Sequence, residues 1–205
     1  MFNTHLENRD TMKPNVTVIN NKTIQTIFDK ADCIHDLKTI ENALDQMATD
    51  ITKKLKNENP LVICVMIGAL IPGGHLLTRL NFPLEVDYIH ATRYRNEIRG
   101  GDLHWLVEPR QSLENRTILL VDDIMDGGLT LAAIIDYCKQ AGAKEVYSAV
   151  IVNKIRQREP GVNFEPDFTG LDTEDRFLFG FGLDYKGYLR NAPGIYAVAK
   201  EHETL

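Results

Sequence analysis

The stretch "ILLVDDIMDGGLTLAAIIDYCKQAGA", from Ile118 to Ala143, decides the fold class. Its first four residues are apolar and predict a buried strand, and the segment from Leu131 onward predicts a helix that ends at Gly142. Three aspartates, two glycines and a threonine lie between them. A strand followed by a polar turn and a helix is typical of parallel sheets, in which ligands bind beyond the carboxyl ends of the strands.

The flanking segments continue this alternation of strands and helices. The segment DLKTIENALDQMATDITKKLK has apolar residues three and four apart, which predicts an amphipathic helix capped by Asp36 or Thr39. A further helix is predicted around residues 74–80. The runs LVICVM (61–66), LEVDYIHATRY (84–94) and VYSAVIVNK (146–154) predict strands. The predicted fold class is therefore α/β, with a central, mostly parallel sheet flanked by helices.

The length of the chain favours a single domain. Its 205 residues suffice for one α/β core and are somewhat few for two. We expect a weakly ordered arm over about 1–22 with one strand at 15–19, a core over about 36–160, and a C-terminal segment over about 161–205. That last segment has the short strands and turns expected of a small hood beside the sheet.

Composition excludes several classes of function. The net charge of −6 argues against general nucleic-acid binding, which usually requires a basic surface. Three widely spaced cysteines without a C-x-x-C pair indicate neither disulfides nor zinc, and fit a cytoplasmic location. The six histidines show no i, i+4 pair that would favour a metal site. The sequence has neither a membrane span nor a signal-peptide core near its start, so no membrane association is expected.

The turn after the central strand predicts a ligand site. Gly127 and Gly128 allow the backbone to approach a ligand, and the amides at the start of the next helix favour an anion. Thr130 is expected to cap that helix or to donate to the anion. Asp122 and Asp123 would repel phosphate, but their carboxylates suit the hydroxyls of a neighbouring diol. The turn therefore predicts a ribose 5-phosphate site, while Walker A and G-x-G-x-x-G motifs are missing.

Two segments carry a resemblance to a known family. "LLVDDIMDGGLTL" resembles the phosphoribosyl pyrophosphate motif of type I phosphoribosyltransferases, and "PDFTGLDTEDRFLFGFGLDYKGYLRN" resembles the C-terminal segment of their hypoxanthine-guanine members. The likeness extends in order over about 36–200, and the two segments together are far more specific than either alone. It implies the type I phosphoribosyltransferase fold, with a hood over the central sheet. It also implies a Mg²⁺ cofactor and a homodimer or homotetramer.

The activity implied by the resemblance is purine salvage. Such an enzyme transfers the 5-phosphoribosyl group of phosphoribosyl pyrophosphate to a 6-oxopurine, hypoxanthine or guanine, giving IMP or GMP and pyrophosphate. By the same resemblance, Asp126 is the catalytic base near N7 of the purine, and Asp184 is a magnesium ligand. The substrate-binding residues that it implies are Ile67, Gly68, Tyr94, Asp122, Asp123, Ile124, Gly127, Gly128, Leu129, Thr130, Lys154, Phe177, Leu178 and Arg190.

Most of these residues have a specific implied partner. Asp122 and Asp123 match the residues that bind the ribose hydroxyls, and the loop 126–130 matches the one around the 5′-phosphate. Lys154 matches the lysine that meets the exocyclic oxygen of the purine. Phe177 matches the ring stacked on the base, and the backbone of Leu178 matches the group that reads its edge. Arg190 matches an arginine near pyrophosphate.

The sequence also departs from the family pattern. Gly127 stands where the family often has Thr or Ser, and Leu129 where Lys or another polar residue is common. Each lost charge-assisted bond is worth about 1.5–3 kcal/mol, so weaker phosphate binding is expected without loss of activity. Ile67-Gly68 occupies the pyrophosphate-loop position, often Lys-Gly with a non-proline cis bond, and the sequence leaves its isomer open.

The segment that matches the family's mobile loop differs as well. The family's Ser-Tyr appears as Arg93-Tyr94, followed by Arg95 and Arg99. A solvated loop is one interpretation, and arginines that meet pyrophosphate on closure are the other.

Two other classes of protein remain as alternatives. A non-catalytic regulator that binds phosphoribosyl pyrophosphate or a nucleotide on the same fold is disfavoured by the presence of Asp126, Lys154 and Asp184. A phosphoacceptor receiver domain also has acids at strand ends, but it is shorter and explains neither the glycine pair nor the C-terminal segment. Taken singly, Lys154, Phe177 and Asp184 also fit a strand-end lysine, a core aromatic ring and a turn acid.

Overall fold

A computed structural model describes residues 19–93 and 103–203 of the chain. Outside these residues lie most of the expected strand at 15–19, the predicted binding residue Tyr94, and the two arginines that follow it, Arg95 and Arg99. The elements, in chain order, are α1 (Asn21–Asp29), β1 (Asp32–His35), α2 (Leu37–Leu55), β2 (Leu61–Met66), α3 (Leu70–Leu77), β3 (Glu85–Arg93), β4 (Leu103–Val107), β5 (Thr117–Met125), α4 (Leu129–Gln140), β6 (Glu145–Lys154), β7 (Phe168–Thr173), β8 (Leu178–Phe179), β9 (Ile195–Ala197) and a 3₁₀ turn at Lys200–His202.

The main sheet has six strands in the order β4-β3-β2-β5-β6-β7. All neighbouring strands are parallel except β3 and β4, which are antiparallel. Alternate residues of β2 face opposite sides: Val62 and Cys64 pack in the same cluster as α2 and α3, whereas Ile63 and Val65 pack with α4. The sheet is thus covered by helices on both faces, which explains its continuous apolar strands and confirms the α/β prediction.

A second, antiparallel sheet forms the hood, in the order β1-β9-β8. Ile27 of α1 packs in one cluster with Phe179 and Tyr185, so both ends of the described chain contribute to the hood. The hood therefore differs from the expected segment 161–205. Strand β7, which falls within that segment, is instead the edge strand of the main sheet, because Phe168–Thr173 pairs in parallel with β6.

Helix boundaries are set by capping and by unpaired amides. Asp36 caps α2, since its carboxylate accepts a hydrogen bond of 2.8 Å from the amide of Thr39. Helix α3 begins at Leu70 rather than near residue 74, with Pro72 in its first turn. Proline is tolerated there because first-turn amides have no partner within the helix. Among the residues described, no helix combines the length and the apolarity that crossing a membrane requires.

Candidate active site

A cavity of about 660 Å³ opens where β2 and β5 end. It gathers residues from β5, from the turns that follow β2 and β5, and from the segment between β8 and β9. The predicted site residues in its wall are Ile67, Gly68, Asp122, Asp123, Ile124, Asp126, Gly127, Gly128, Leu129, Thr130, Asp184 and Arg190. Most of the residues that the sequence assigned to the site therefore lie around one cavity.

Asp122 and Asp123 lie within strand β5, and do not follow its end as expected from the sequence. Strand β5 pairs with β2 only as far as Val121, but it pairs with β6 as far as Met125. Pairing with β2 thus stops two residues before β2 ends at Met66, and β5 is paired only with β6 where it passes the two acids. The carboxylates thus face the cavity from a strand that is still held on its other side.

The two carboxyl groups are costly to ionise where they lie. Asp122 is only 9% exposed, and it accepts a hydrogen bond of 2.9 Å from the amide of Asp123. Burial, reinforced by the charge of Asp123, raises the pKa of Asp122 well above its ordinary value. Burial also raises the pKa of Asp123, although the hydrogen bond with Asp122 and the charge of Arg190 oppose this. A ligand that donates hydrogen bonds would relieve this cost.

The turn after β2 approaches Asp123 closely. A β-carbon on Gly68 would lie 2.2 Å from a carboxylate oxygen of Asp123, so any larger residue here would displace the Asp123 side chain. The sequence left the isomer of the Ile67–Gly68 peptide open, and the cis bond is one peptide earlier, at Met66–Ile67. The side chain of Ile67 is 48% exposed and adds no charge to this wall.

The loop 126–130 presents backbone amides to the cavity. Gly128 is the residue before α4 and has a φ of 84°, in the left-handed region that favours glycine. No side chain caps α4, so the expected capping role of Thr130 is wrong, because the helix begins at Leu129 and Thr130 lies inside its first turn. The first amides of a helix lack intrahelical partners, which leaves them available to an anion.

A smaller cavity of about 180 Å³ adjoins the first and shares Asp123, Ile124, Asp126 and Asp184 with it. We call this smaller cavity the annex; its other lining residues are Lys154, Phe177, Leu178 and Leu183. The structure thus brings together every predicted site residue except Tyr94, which is outside the described residues. The ring of Phe177 is 40% exposed and meets Tyr185 edge-on, with 5.6 Å between ring centroids.

Lys154 supplies the charge of the annex. It ends β6 and is only 8% exposed, and its ammonium nitrogen lies 3.3 Å from a carboxylate oxygen of Asp126 and 3.4 Å from one of Asp175. An ammonium group has three donors, so one remains for a ligand oxygen. A lysine that is buried and paired in this way differs from a strand-end lysine extended into water.

Sequence reasoning missed the segment that follows β6. Arg158 donates hydrogen bonds of 2.9 Å to the backbone carbonyls of Asp126 and Lys154, and thereby ties the end of β6 to the start of the loop. Arg156 contacts Asp126, and Glu159 lines the larger cavity. The signal was present in the chain: these charged residues follow a buried strand next to β5, and neighbouring parallel strands end at the same edge of the sheet.

The residues present fit a Mg²⁺ ion that arrives with a phosphate ligand. Mg²⁺ is usually held by one or two carboxylates together with phosphate oxygens and waters. Asp184 is suitably placed in the cavity wall, where it pairs with Arg190 at 2.5 Å and accepts a hydrogen bond of 2.7 Å from the amide of Gly187. Within 19–93 and 103–203, no cluster of three or more His, Cys, Asp or Glu side chains could hold a metal unaided.

Comparisons with known proteins agree with this geometry. A family model described as a phosphoribosyl transferase domain matches residues 30–186. The hypoxanthine-guanine phosphoribosyltransferase of Aquifex aeolicus is 30% identical over 78% of this chain and 89% of its own length. The bifunctional protein TilS/HprT of Listeria monocytogenes is 31% identical over 76% of this chain, which spans only 24% of that protein.

The structural comparison confirms the predicted fold. A hypoxanthine phosphoribosyltransferase structure from Staphylococcus aureus superposes with a TM-score of 0.80 over 90% of this chain and 98% of the other, at 21% identity. At that identity the likeness concerns the fold alone, whereas the family model covers most of the chain. Together with the acid pair and the amide loop, these matches identify the chain as a member of the phosphoribosyltransferase family.

Proposed function

We propose that this protein is a purine salvage enzyme that transfers the 5-phosphoribosyl group of phosphoribosyl pyrophosphate to hypoxanthine or guanine. The observation that carries the proposal is the continuity of the two cavities. One contains the acid pair and the amide loop, and the other contains a buried lysine and an exposed aromatic ring. A ribose 5-phosphate in the first would hold its reacting carbon near a base in the second.

Each part of the two substrates has a matching group. The ribose hydroxyls donate to Asp122 and Asp123, and the amides of the loop 126–130 receive the 5′-phosphate. In the annex, the free donor of Lys154 meets the oxygen on C6 of the purine. Phe177 stacks on the base and Leu178 offers backbone groups to its edge. Ile124 lies between the two cavities, and Ile67 and Gly68 form the wall where pyrophosphate leaves.

The reaction breaks the bond between C1 of the ribose and pyrophosphate and forms a bond to a purine nitrogen. Positive charge develops on the sugar ring, so catalysis rests on positioning and on electrostatic stabilisation. Asp126 accepts a hydrogen bond or proton from N7 of the base. Arg190 and Asp184 face the leaving group, and Mg²⁺ held by Asp184, when bound, neutralises the charge of pyrophosphate.

The test is release of pyrophosphate and formation of IMP from phosphoribosyl pyrophosphate and hypoxanthine in the presence of Mg²⁺. We expect both products in equal amounts and no reaction in excess chelator, with recovery when Mg²⁺ is restored. Full activity in chelator would contradict the assignment of Asp184. Binding of phosphoribosyl pyrophosphate without turnover, for any purine, would instead favour the non-catalytic regulator.

We also propose that the protein is cytoplasmic and assembles as a homodimer or homotetramer. Val86 and Tyr88 project from the same face of β3 and are 52% and 36% exposed, which is consistent with an interface in the assembly. Light scattering should give two or four times the mass of one chain, and a monomer would contradict this proposal.

A further inference from the structure

The loop assigned to the 5′-phosphate has an unfavourable charge environment. Glu159 lines the same cavity, and its side chain approaches the loop so closely that its Cγ atom lies 2.6 Å from where a β-carbon on Gly127 would be. The loop itself begins with Asp126 and contains no cation. A phosphate group carries about −1.5 to −2 charges at pH 7, so both carboxylates oppose its binding.

Glu159 is fixed beside the loop by its backbone. Its amide donates a hydrogen bond of 3.1 Å to the carbonyl of Gly127, so the residue cannot move away as a whole without breaking that bond. Only its side chain is free to reorient. The orientation of the Glu159 carboxylate relative to the phosphate therefore depends on the charged side chains around it.

Arg156 is the cation within reach of both carboxylates. Its guanidinium lies 2.9 Å from a carboxylate oxygen of Asp126 and 3.7 Å from one of Glu159, and 3.7 Å from Asp175 on its remaining side. Arg156 is not among the residues that line the larger cavity, whereas Asp126 and Glu159 are. Arg156 therefore touches a ligand in that cavity only indirectly, through its charge and through these two acids.

We propose that Arg156 is a positioning residue that sets the affinity for the 5′-phosphate, by pairing with Glu159 and neutralising its charge at the edge of the loop. The proposal rests on the assignment of the loop 126–130 to phosphate. It explains how a loop with Gly127 and Leu129, in place of a hydroxyl and a cation, tolerates an acid at its edge. The positive charge beside the phosphate comes from Arg156, just after β6, and not from a residue of the loop.

The test compares Michaelis constants for the two substrates in Arg156→Met, Arg156→Lys, Glu159→Gln and the Arg156→Met/Glu159→Gln double variant. Since Arg156 is partly exposed and its field is screened by salt, we expect Arg156→Met to raise KM for phosphoribosyl pyrophosphate by about 3- to 10-fold. KM for hypoxanthine should change less than about twofold, and any fall in kcat, through the contact of Arg156 with Asp126, should be smaller than the rise in KM for phosphoribosyl pyrophosphate. Arg156→Lys should restore most of the affinity.

The double variant isolates the role of Glu159. If Arg156 acts by neutralising this acid, its removal should matter less once the acid is gone. The change in log KM for phosphoribosyl pyrophosphate caused by Arg156→Met should therefore be less than about half as large when residue 159 is already Gln. The matched control is Arg116→Met, which breaks a pair with Glu85 at the opposite end of β5 and should leave both Michaelis constants unchanged.

Three outcomes would overturn the inference. A fall in kcat with an unchanged KM for phosphoribosyl pyrophosphate would show that Arg156 acts on Asp126 and the purine, and not on the phosphate. If Arg156→Met raises KM for phosphoribosyl pyrophosphate equally with Glu159 and with Gln at that position, Arg156 does not act through Glu159. If Arg156→Met leaves this KM unchanged, Arg156 forms only surface ion pairs. If Arg156→Met fails to fold, Arg156→Lys and Glu159→Gln still give the comparison. Failure of the proposed function would appear earlier, as lack of turnover by the wild type, and calorimetric dissociation constants would then replace KM.

Discussion

The loop 126–130 and the annex are formed by different parts of the chain. The loop is one contiguous turn that offers backbone amides, and its glycines provide the geometry. The annex is lined by side chains of β5, β6 and the hood, whose positions depend on the whole fold. Substitutions of the polar side chains in the annex should therefore change chemistry and selectivity more than folding, while substitutions of the loop glycines should change the backbone and with it folding.

The largest expected effect concerns base selectivity in the annex. Two of the three donors of Lys154 face Asp126 and Asp175, and in the proposed function the third meets the oxygen on C6 of hypoxanthine. Adenine has an amino group at that position and would leave this buried donor unpaired. We expect kcat/KM for adenine to be lower than for hypoxanthine by roughly 10⁴, since sites that strand a buried polar group discriminate this strongly.

The measurement is kcat/KM for both bases in the wild type and in Lys154→Ala, where the ratio should fall sharply. Lys144→Ala is the matched control, because that lysine pairs with Glu58 at the other end of β6. A wild type that uses adenine as well as hypoxanthine, or a ratio unchanged in Lys154→Ala, would remove Lys154 from base recognition.

The next effect concerns Asp126, which belongs to both regions. Asp126→Asn keeps the shape of the side chain but removes the proposed base, so kcat should fall by roughly 10²–10⁴. KM for phosphoribosyl pyrophosphate should change much less, because we assign phosphate binding to the loop amides, which this substitution leaves in place. Steady-state kinetics with each substrate varied in turn separates the two. Turnover at the wild-type rate would show that another group accepts the proton.

The two glycines of the loop allow a sharper comparison within a single turn. A β-carbon on Gly128 would lie 2.5 Å from a buried Met125 atom, and its φ of 84° strains any other residue. Gly128→Ala should therefore lower the free energy of unfolding by about 2 kcal/mol, as measured by urea denaturation. Gly127→Ala meets mainly the side chain of Glu159, which can move, so it should cost less. Equal losses would contradict this role of the two glycines.

The contrast between the regions also explains what the sequence predicted. The loop was recognisable because its glycines and acids are adjacent in the chain, and Lys154, Phe177 and Leu178 were placed by resemblance. Arg156 and Glu159 were missed because their roles depend on contacts between separate loops. The extension of β5 past Asp123 was missed for a similar reason: pairing with β6 continues after pairing with β2 has stopped, and this register is not written in β5 itself.

The smallest expected effect concerns stability and comes from the acid pair between the two regions. Burial raises the pKa of Asp122 well above its ordinary value of about 3.9, so the folded protein holds a proton that the unfolded chain releases. The contribution of Asp122 to stability is therefore fully present below its unfolded pKa, and it is lost as pH rises through the raised folded pKa.

Asp122→Asn should remove this dependence, because its amide stays neutral and its oxygen can still accept the hydrogen bond from Asp123. The variant should be inactive. In the absence of ligands, its free energy of unfolding at pH 8 should exceed that of the wild type by about 1 kcal/mol, as is common when a strained functional group is replaced. The gain should shrink towards pH 4, where Asp122 is protonated in the folded protein and about half protonated in the unfolded chain. Thermal unfolding at pH 4 and pH 8, without Mg²⁺ or substrate, measures this gain in stability. Gly128→Ala is the comparison, because its loss of stability is steric and should not vary with pH. A variant less stable than the wild type at pH 8 would mean that the ionised acid pair stabilises the fold, and that ribose binding relieves no cost there.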